Sequence, residues 1–399
     1  RAGGRTAAPL GSAKEFVGRT TDGPSRFKLQ RHAAGLTNHG GLSSCMWLVA
    51  FGASGAAIRG TPRGDGLWDN TRLRNLAVCG SHLCPVCGPR VAAQRRDEVG
   101  TVLEKAKEVG GLVPVLLTLT ARHKAGDSLA ALLGPLKEAQ RRWRNHRAHK
   151  AFRRSTVGTV SAFEVTHGRN GWHPHFHLLV FIKADSPAKA LRSIAALRSP
   201  WSAALDAVGL SCGRAGFKAV VAWDGGRYLA KWDASKEMTK AQAKTAKQGG
   251  RSPAQLLRDS HEGDKRAGRL WAEWAAAMKG RSVLRFSPGL KDWAGVGTVS
   301  DEEAATLEEE EVERLITVIE TDKWQAAKRA GLCRDSLLRS ARLGHAGVRD
   351  YLSGLSPSPI DRSDRQESGK GNGGRSQRDR SGLSLDSPAA EGHRPPPGP

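Results

Sequence analysis

Residues 173–181 read His-Pro-His-Phe-His-Leu-Leu-Val-Phe, and this stretch indicates both the fold and the site. Its apolar second half is typical of a buried strand. Because successive strand side chains point to opposite faces of a sheet, His175 and His177 share one face while Phe176 points to the other. Two neighbouring imidazoles on a rigid element supply half of a metal site.

The segment before the histidines completes this predicted site. Residues 156–166 alternate as a strand, and residues 168–171, Gly-Arg-Asn-Gly, form a predicted turn. Pairing across the turn would bring Glu164 close to His175 on the same face of the sheet. A carboxylate and two imidazoles leave coordination positions open, and mixed nitrogen and oxygen ligands suit Mn²⁺ or Mg²⁺, with zinc or iron as alternatives. The alternative for Glu164 is an exposed strand carboxylate.

A tyrosine downstream is a candidate nucleophile. The chain contains only two tyrosines, and one of them, Tyr228, lies three residues before Lys231 on a predicted helix. The ammonium group can therefore lie beside the phenol. A free phenol is only about one part in a thousand ionised at neutral pH, and a nearby cation favours the nucleophilic anion. The alternative is an ordinary core tyrosine.

The charge of the chain indicates a polyanionic partner. Lysine and arginine number 63 against 39 aspartates and glutamates, a formal net charge of +24. Such an excess favours nucleic acid, bound through its phosphates. A predicted helix over residues 127–152 ends in a densely basic stretch, and the candidate DNA contacts are Arg141, Arg142, Arg144 and Arg227. No signal peptide and no membrane-length apolar run is evident, so we expect a cytoplasmic protein.

Three of the six cysteines are crowded together. Cys79, Cys84 and Cys87 have the C-x4-C-x2-C spacing of a zinc knuckle. The fourth ligand is either Cys45 or His82, and Cys45 is slightly favoured because it gives a four-thiolate site. Four protein ligands leave no open position, so this Zn²⁺ would be structural. The alternative is a group of reduced, buried cysteines.

The order of predicted elements over residues 111–295 is strand, helix, strand, strand, helix, strand, helix. This order predicts an α+β fold with an antiparallel-centred sheet and helices mainly on one face. Residues 301–320 look like the start of an acidic helix, and residues 321–352 are either a helix-turn-helix-like DNA-binding element or helices packed on the main domain. The expected organisation is a flexible segment 1–40, a zinc-binding region 41–110, an endonuclease domain 111–295, a helical accessory region 301–353 that is a candidate for DNA binding, and a disordered tail 354–399.

Three motifs in this order resemble those of the HUH endonuclease superfamily, and in particular the rolling-circle replication initiator (Rep) proteins of small bacterial plasmids. The first motif matches residues 115–123, VLLTLTARH. The second matches residues 175–180, with His173 and Pro174 in front as in one plasmid subgroup. The third, Tyr-x-x-Lys, matches residues 228–231, and the resemblance covers about residues 75–295.

The resemblance implies a mechanism. His175, His177 and Glu164 would bind a catalytic Mn²⁺ or Mg²⁺, and Tyr228 would attack the scissile phosphate to leave a 5′-phosphotyrosine link and a free 3′-OH primer. Lys231 would offset charge near the phenol or the phosphate. Its implied partners are plasmid origin DNA, single-stranded or cruciform and duplex, together with a host helicase and DNA polymerase.

Two residues of this implied site, Asp224 and His173, each have two possible roles. Asp224 stands where relatives more often have a glutamate that activates water, and the alternative is a helix N-cap. His173 shares the face of the ligands, and we expect it to support them or to contact DNA rather than to bind the metal directly.

Other functions compete with the initiator. A rolling-circle transposase can also combine an amino-terminal zinc site with the histidine motif, and genetic context would separate the two. A conjugative relaxase is disfavoured because relaxases place the nucleophilic tyrosine before the histidines. A zinc-binding DNA regulator with structural histidines is the non-enzymatic alternative. A cupin-type metalloenzyme is disfavoured by the charge and by the position of Tyr228.

Overall fold

The histidine stretch lies on the central strand of a five-stranded sheet in the computed structural model, which describes residues 24–223, 250–306 and 313–355. The strands are β1 (Gly55–Pro62), β2 (Trp68–Arg74), β3 (Leu112–Thr120), β4 (Thr156–Gly168), β5 (Gly171–Lys183), β6 (Phe217–Val221), β7 (Leu284–Phe286) and β8 (Arg314–Glu320).

Helices precede, connect and follow these strands. They are α1 (Arg26–Leu36), α2 (Gly40–Ser44), α3 (Cys87–Val109), α4 (Leu129–Asn145), α5 (Arg147–Arg153), α6 (Pro187–Ala195), α7 (Arg198–Asp206), α8 (Pro253–His261), α9 (Lys265–Met278), α10 (Leu290–Trp293), α11 (Asp301–Thr306), α12 (Thr321–Arg329), α13 (Arg334–Ser340) and α14 (Gly344–Ser353). None of these described helices has an apolar run long enough to span a bilayer.

The larger sheet has the order β6-β3-β5-β4-β7, and every described pairing in it is antiparallel. The hairpin β4–β5 closes with Gly168 opposite Gly171, as the turn residues predict. Gly171 has a φ of +82°, and a Cβ there would lie 2.9 Å from the carbonyl oxygen of Lys124. Glycine is therefore required at this corner. Since the two-residue turn sets the register, Glu164 lies directly opposite His175.

Helices cover both faces of this sheet, with more of them on one face than on the other, so the prediction of helices mainly on one face is only partly right. Side chains of α4, α6 and α7 pack with Leu178 and Val180 on one face, and side chains of α3 pack with Leu179 and Phe181 on the other. The reason is that β5 is apolar at consecutive positions, as in strands buried on both sides. His175 and His177 share the α3 face, while Phe176 is buried on the opposite face as predicted.

A second sheet joins distant parts of the chain. Its order is β2-β1-β8, with β1 antiparallel to both neighbours. The expected acidic helix over residues 301–320 is therefore only partly right, because α11 is helical but β8 is a strand. Its sequence RLITVIE is rich in β-branched residues. Pairing with β1, which lies more than 200 residues earlier in the chain, also stabilises β8 as a strand. No local sequence pattern reveals this pairing.

The two ends of the described chain share one hydrophobic core. Leu29 and Leu42 of the N-terminal helices are buried together with Trp324, Leu337 and Val348 of the C-terminal helices. Helix α1 lies within the segment expected to be flexible, and its Ser25 cap and buried Leu29 explain why it folds there. DNA binding by residues 301–353 stays a prediction.

Candidate metal centres

Glu164, His175 and His177 converge on the α3 face of the larger sheet. One carboxylate oxygen of Glu164, Oε2, lies 3.0 Å from Nε2 of His175 and 3.2 Å from Nε2 of His177. One ligand atom from each residue lies within 4.8 Å of the other two. Strands β4 and β5 place these atoms through their register, since Glu164 faces His175 and His177 lies two residues further along.

The hydrogen bonds of the Nδ1 atoms, which point away from Glu164, indicate that a cation belongs between the two imidazoles and the carboxylate. Nδ1 of His175 donates to the backbone carbonyl of His173 at 3.1 Å, so Nε2 of a neutral His175 presents a lone pair. That lone pair would then face a carboxylate oxygen, and two acceptors at 3.0 Å need a proton or a metal ion between them. Nδ1 of His177 lies 3.0 Å from the Thr118 hydroxyl. Metal-binding histidines are typically oriented in this way through their second nitrogen.

The electrostatics agree with this interpretation. Burial raises the pKa of the Glu164 carboxyl, but hydrogen bonds from His175 and His177 outweigh burial, so the pKa lies well below its usual range. Burial lowers the pKa of His175, but the hydrogen bond that its protonated ring donates to Glu164 and the charge of that carboxylate outweigh burial, so the pKa is raised. The site therefore keeps a negative carboxylate beside a position that attracts positive charge, as a divalent metal site requires.

His173 lies beside this group but not in it. Its Nδ1 is 2.8 Å from Nε2 of His123, and Nδ1 of His123 is 2.8 Å from the carbonyl oxygen of Asn170. Because the carbonyl can only accept, His123 donates through Nδ1 and accepts from His173 through Nε2. Burial, with the charges of His175 and His123, lowers the pKa of His173 to about 4.

Sequence reasoning missed the roles of His123 and Thr118. Both lie in the quoted motif VLLTLTARH. The contact of Thr118 with His177 could have been predicted from strand pairing, because Thr118 is opposite His177 in the register of β3 and β5. His123 follows the strand in a loop, so strand alternation could not place it.

Asp224, Arg227, Tyr228 and Lys231 lie outside the described residues, and their roles stay predictions.

Cys45, Cys79, Cys84 and Cys87 form a second group that can bind a metal, with their sulfur atoms within 4.8 Å of one another. The Sγ–Sγ distances are 3.4 Å for Cys45–Cys87, 3.7 Å for Cys79–Cys87 and 3.8 Å for Cys45–Cys84. A tetrahedron with Zn–S bonds of about 2.3 Å separates its sulfur atoms by about 3.8 Å, so the four thiols fit zinc. Hydrogen bonds from the other three thiols lower the pKa of Cys45, which favours the thiolate that zinc binds.

His82, the alternative fourth ligand, is not in this group. Its ring packs edge-on against Trp274, with a centroid distance of 6.1 Å, and burial lowers its pKa to about 4.

A buried arginine ties the cysteine cluster to the C-terminal helices. Arg334 at the start of α13 is 3% exposed and donates to the carbonyl oxygens of Cys45 and Met46 at 3.1 and 3.2 Å. Its other terminal nitrogen donates to Oε1 of Gln30 at 2.7 Å, and its guanidinium lies between the rings of Phe27 and Trp47. The backbone that carries Cys45 is thus fixed from two sides, since Gln30 also donates to the Cys45 carbonyl.

The predicted DNA contacts on α4 differ in their surroundings. Arg141 makes a two-point ion pair with Glu138, with both distances 2.7 Å, and Arg142 contacts the same carboxylate at 2.9 Å. The hydrogen bond from Arg141 is the main cause that lowers the pKa of Glu138 to about 2. Arg144 instead lies near Arg153 and Arg285. Two of the three predicted contacts therefore share one carboxylate, which offsets only one of their two positive charges.

Comparison with known proteins agrees with the motifs. Residues 70–190 match a family described as replication protein. The resemblance to Rep proteins is confirmed. A Protein rep from Streptomyces lividans is 31% identical over 185 residues, which cover 39% of this chain and 39% of that protein. A Protein rep from Bacillus amyloliquefaciens is 29% identical over 136 residues, which cover 34% of this chain and 39% of that protein.

The matched region includes strands β3 to β5 and all three residues of the Glu-His-His group. A neomycin resistance protein from Streptomyces cyanogenus is also 30% identical over 135 residues, 27% of this chain and 31% of that protein. The chain spans about two fifths of the length of the two Rep relatives. No solved structure gives a significant match.

Proposed function

We propose that this protein is a rolling-circle replication initiator, a metal-dependent endonuclease that nicks one strand at a plasmid origin. One observation carries the proposal. Glu164, His175 and His177 converge on one sheet face, inside the segment that matches the replication protein family. The net charge of +24 supports a DNA substrate over a small molecule.

In this proposal the three ligands bind Mn²⁺ or Mg²⁺ through two imidazole nitrogens and a carboxylate oxygen. When bound, such an ion acts as a Lewis acid toward a phosphate oxygen. The protein's own part is orientation, because Thr118 and the carbonyl of His173 fix the outer nitrogens of the two imidazoles. The carboxylate stays ionised, since its pKa lies below the usual range.

The nucleophile in this proposal is Tyr228. Its phenol oxygen forms a bond to the scissile phosphorus, the bond from phosphorus to the 3′ oxygen breaks, and that oxygen takes up a proton. The products are a 5′-phosphotyrosine and a free 3′-OH, which a host DNA polymerase could extend behind a host helicase. Lys231 would offset the developing charge, and Asp224 would activate water to end the cycle.

The four-cysteine group would bind a structural Zn²⁺ in a region we propose to span residues 41–110, next to a nicking domain at 111–295 and an accessory region at 301–353. Arg334 joins this zinc region to the accessory region through the carbonyl of Cys45. Zinc would therefore stabilise the packing of both ends of the described chain.

Cleavage of a labelled single-stranded origin oligonucleotide tests the proposal. Wild-type protein should cleave with Mn²⁺ or Mg²⁺ and not in their absence, and Glu164→Gln should lose about 100-fold or more in rate. The matched control is Glu104→Gln, which removes an exposed carboxylate paired with Lys107. Metal-independent cleavage, or equal rates for the two variants, would contradict the proposed role of the metal site.

A further inference from the structure

A cluster of basic side chains lies on the face of the larger sheet opposite the metal site. Arg285 of β7 pairs with Ser161 of β4, so the two side chains share a face. Ser161 and Glu164 are three residues apart on a regular strand, so they point to opposite faces. Helices α4 and α5, which carry Arg144 and Arg153, pack on the Ser161 face.

These cations influence one another. Burial lowers the pKa of Arg144, and the charges of Arg153 and Arg285 lower it further. Burial likewise lowers the pKa of Lys137, with further lowering by Arg281 and Arg285. Arg285 thus links both groups into one cluster, which we call the opposite-face basic cluster: Lys137, Arg144, Arg153, Arg281 and Arg285.

The cluster has no matching anions in the part of the chain that the structure describes. No ion pair there joins Lys137, Arg144, Arg153 or Arg285 to a carboxylate, whereas Arg141 and Arg142 nearby share Glu138. His149 adds no charge, because burial and the charges of Arg144 and Arg153 lower its pKa to about 4. Gathered like charges without counter-charges are unfavourable alone and attract a polyanion.

We propose that the opposite-face basic cluster binds the phosphate backbone of duplex DNA beside the nicked strand. Duplex is favoured over single-stranded DNA because single-strand sites stack bases on exposed aromatic rings. Within the described residues, the cluster exposes no tryptophan, tyrosine or phenylalanine ring, since Trp143 is buried and Phe152 is partly buried. The proposal rests on the proposed function for its choice of DNA as the polyanion.

Salt-dependent binding tests this assignment. The variant Lys137→Gln/Arg153→Gln/Arg285→Gln removes three cations, and each phosphate contact contributes about 0.9 to the slope of log K against log salt. We expect the slope to fall by about 2.7 and the duplex Kd at about 0.15 M salt to rise about 100-fold. Fluorescence anisotropy with a duplex of about 30 base pairs, without added Mn²⁺ or Mg²⁺, measures both.

The matched control removes the same net charge elsewhere. Lys105→Gln/Lys107→Gln/Arg63→Gln takes three exposed cations that already pair with carboxylates, and its duplex Kd should change by less than about threefold. A charge-preserving variant, Lys137→Arg/Arg153→Lys/Arg285→Lys, should bind duplex within about threefold of wild type, which separates charge from folding.

Other outcomes discriminate between the proposals. An unchanged slope and Kd in the Gln variant would overturn the cluster as a DNA site. Equal weakening of single-strand binding would overturn the duplex assignment. Metal-dependent cleavage of a short single strand by the Gln variant should stay within about twofold of wild type. If wild type itself fails to cleave while duplex binding responds as expected, the proposed function fails and the cluster stands.

Discussion

Arg334 provides a sharp test of how the cysteine cluster is connected to the C-terminal helices. In Arg334→Met, the carbonyl of Met46 and Oε1 of Gln30 lose their donor, whereas the carbonyl of Cys45 keeps its bond from Gln30. Each buried acceptor left without a donor costs about 2 kcal/mol. The two ring contacts, at 4.1 Å to Phe27 and 4.2 Å to Trp47, add about 1 kcal/mol each.

Part of this destabilisation of the folded protein is offset in Arg334→Met. Burial is the main cause that lowers the pKa of Arg334 to about 10, so the charged guanidinium loses about 3 kcal/mol when the chain folds. The methionine side chain avoids this penalty. The expected net destabilisation is therefore about 3 kcal/mol, which corresponds to a Tm lower by about 6 to 12 °C.

Differential scanning calorimetry at saturating Zn²⁺ measures this effect while keeping the cysteine site loaded. The matched control is Arg339→Met on the same helix, whose side chain is exposed, and it should shift Tm by less than about 2 °C. Equal Tm values for the two variants would refute the assigned role of Arg334.

Three further predictions concern individual sites. Thr118→Val should raise the Mn²⁺ Kd about tenfold in calorimetric titration because His177 loses its partner, while Thr120→Val should change it less than about twofold. Cys84→Ser should abolish the one bound zinc per chain in elemental analysis, and Cys212→Ser should retain it. Because the pKa of His149 in the fold is about 4, against about 6.5 unfolded, its neutral form stabilises the protein above about pH 6.5 and this contribution is lost as pH falls toward 4. The Tm of His149→Phe should therefore decrease less than the Tm of wild type when the pH is lowered from about 7 to about 5. Equal decreases in Tm for the two proteins would contradict this prediction.

The Glu164, His175 and His177 group was predictable because its geometry is local. A two-residue turn sets the register of β4 and β5, and that register places Glu164 opposite His175. The cysteine group was also predictable in part, since three of its members lie within nine residues. The sequence favoured Cys45 only slightly over His82 as the fourth ligand, because a residue 34 positions before Cys79 reaches the site only through the packing of α1 and α2.

What the sequence could not reveal depends on contacts between distant segments. Strand β8 pairs with β1, and Arg334 reaches the carbonyl of Cys45 across 289 positions. Neither contact leaves a periodic signal. The basic stretch of α4 was evident in the sequence, but composition could not show that Arg141 and Arg142 share the carboxylate of Glu138 while Arg144 lies near cations from β7 and α5.

The covalent step is the central claim of the proposed function. Wild-type protein is incubated with Mn²⁺ and a single-stranded origin oligonucleotide, and the adduct is mapped by mass spectrometry. We expect a nucleotide attached to Tyr228 and no adduct with Tyr228→Phe. Tyr351→Phe changes the other tyrosine, whose hydroxyl bonds the backbone of Cys333, and should leave the adduct undiminished. An adduct that persists in Tyr228→Phe, or none in the wild type, would contradict it.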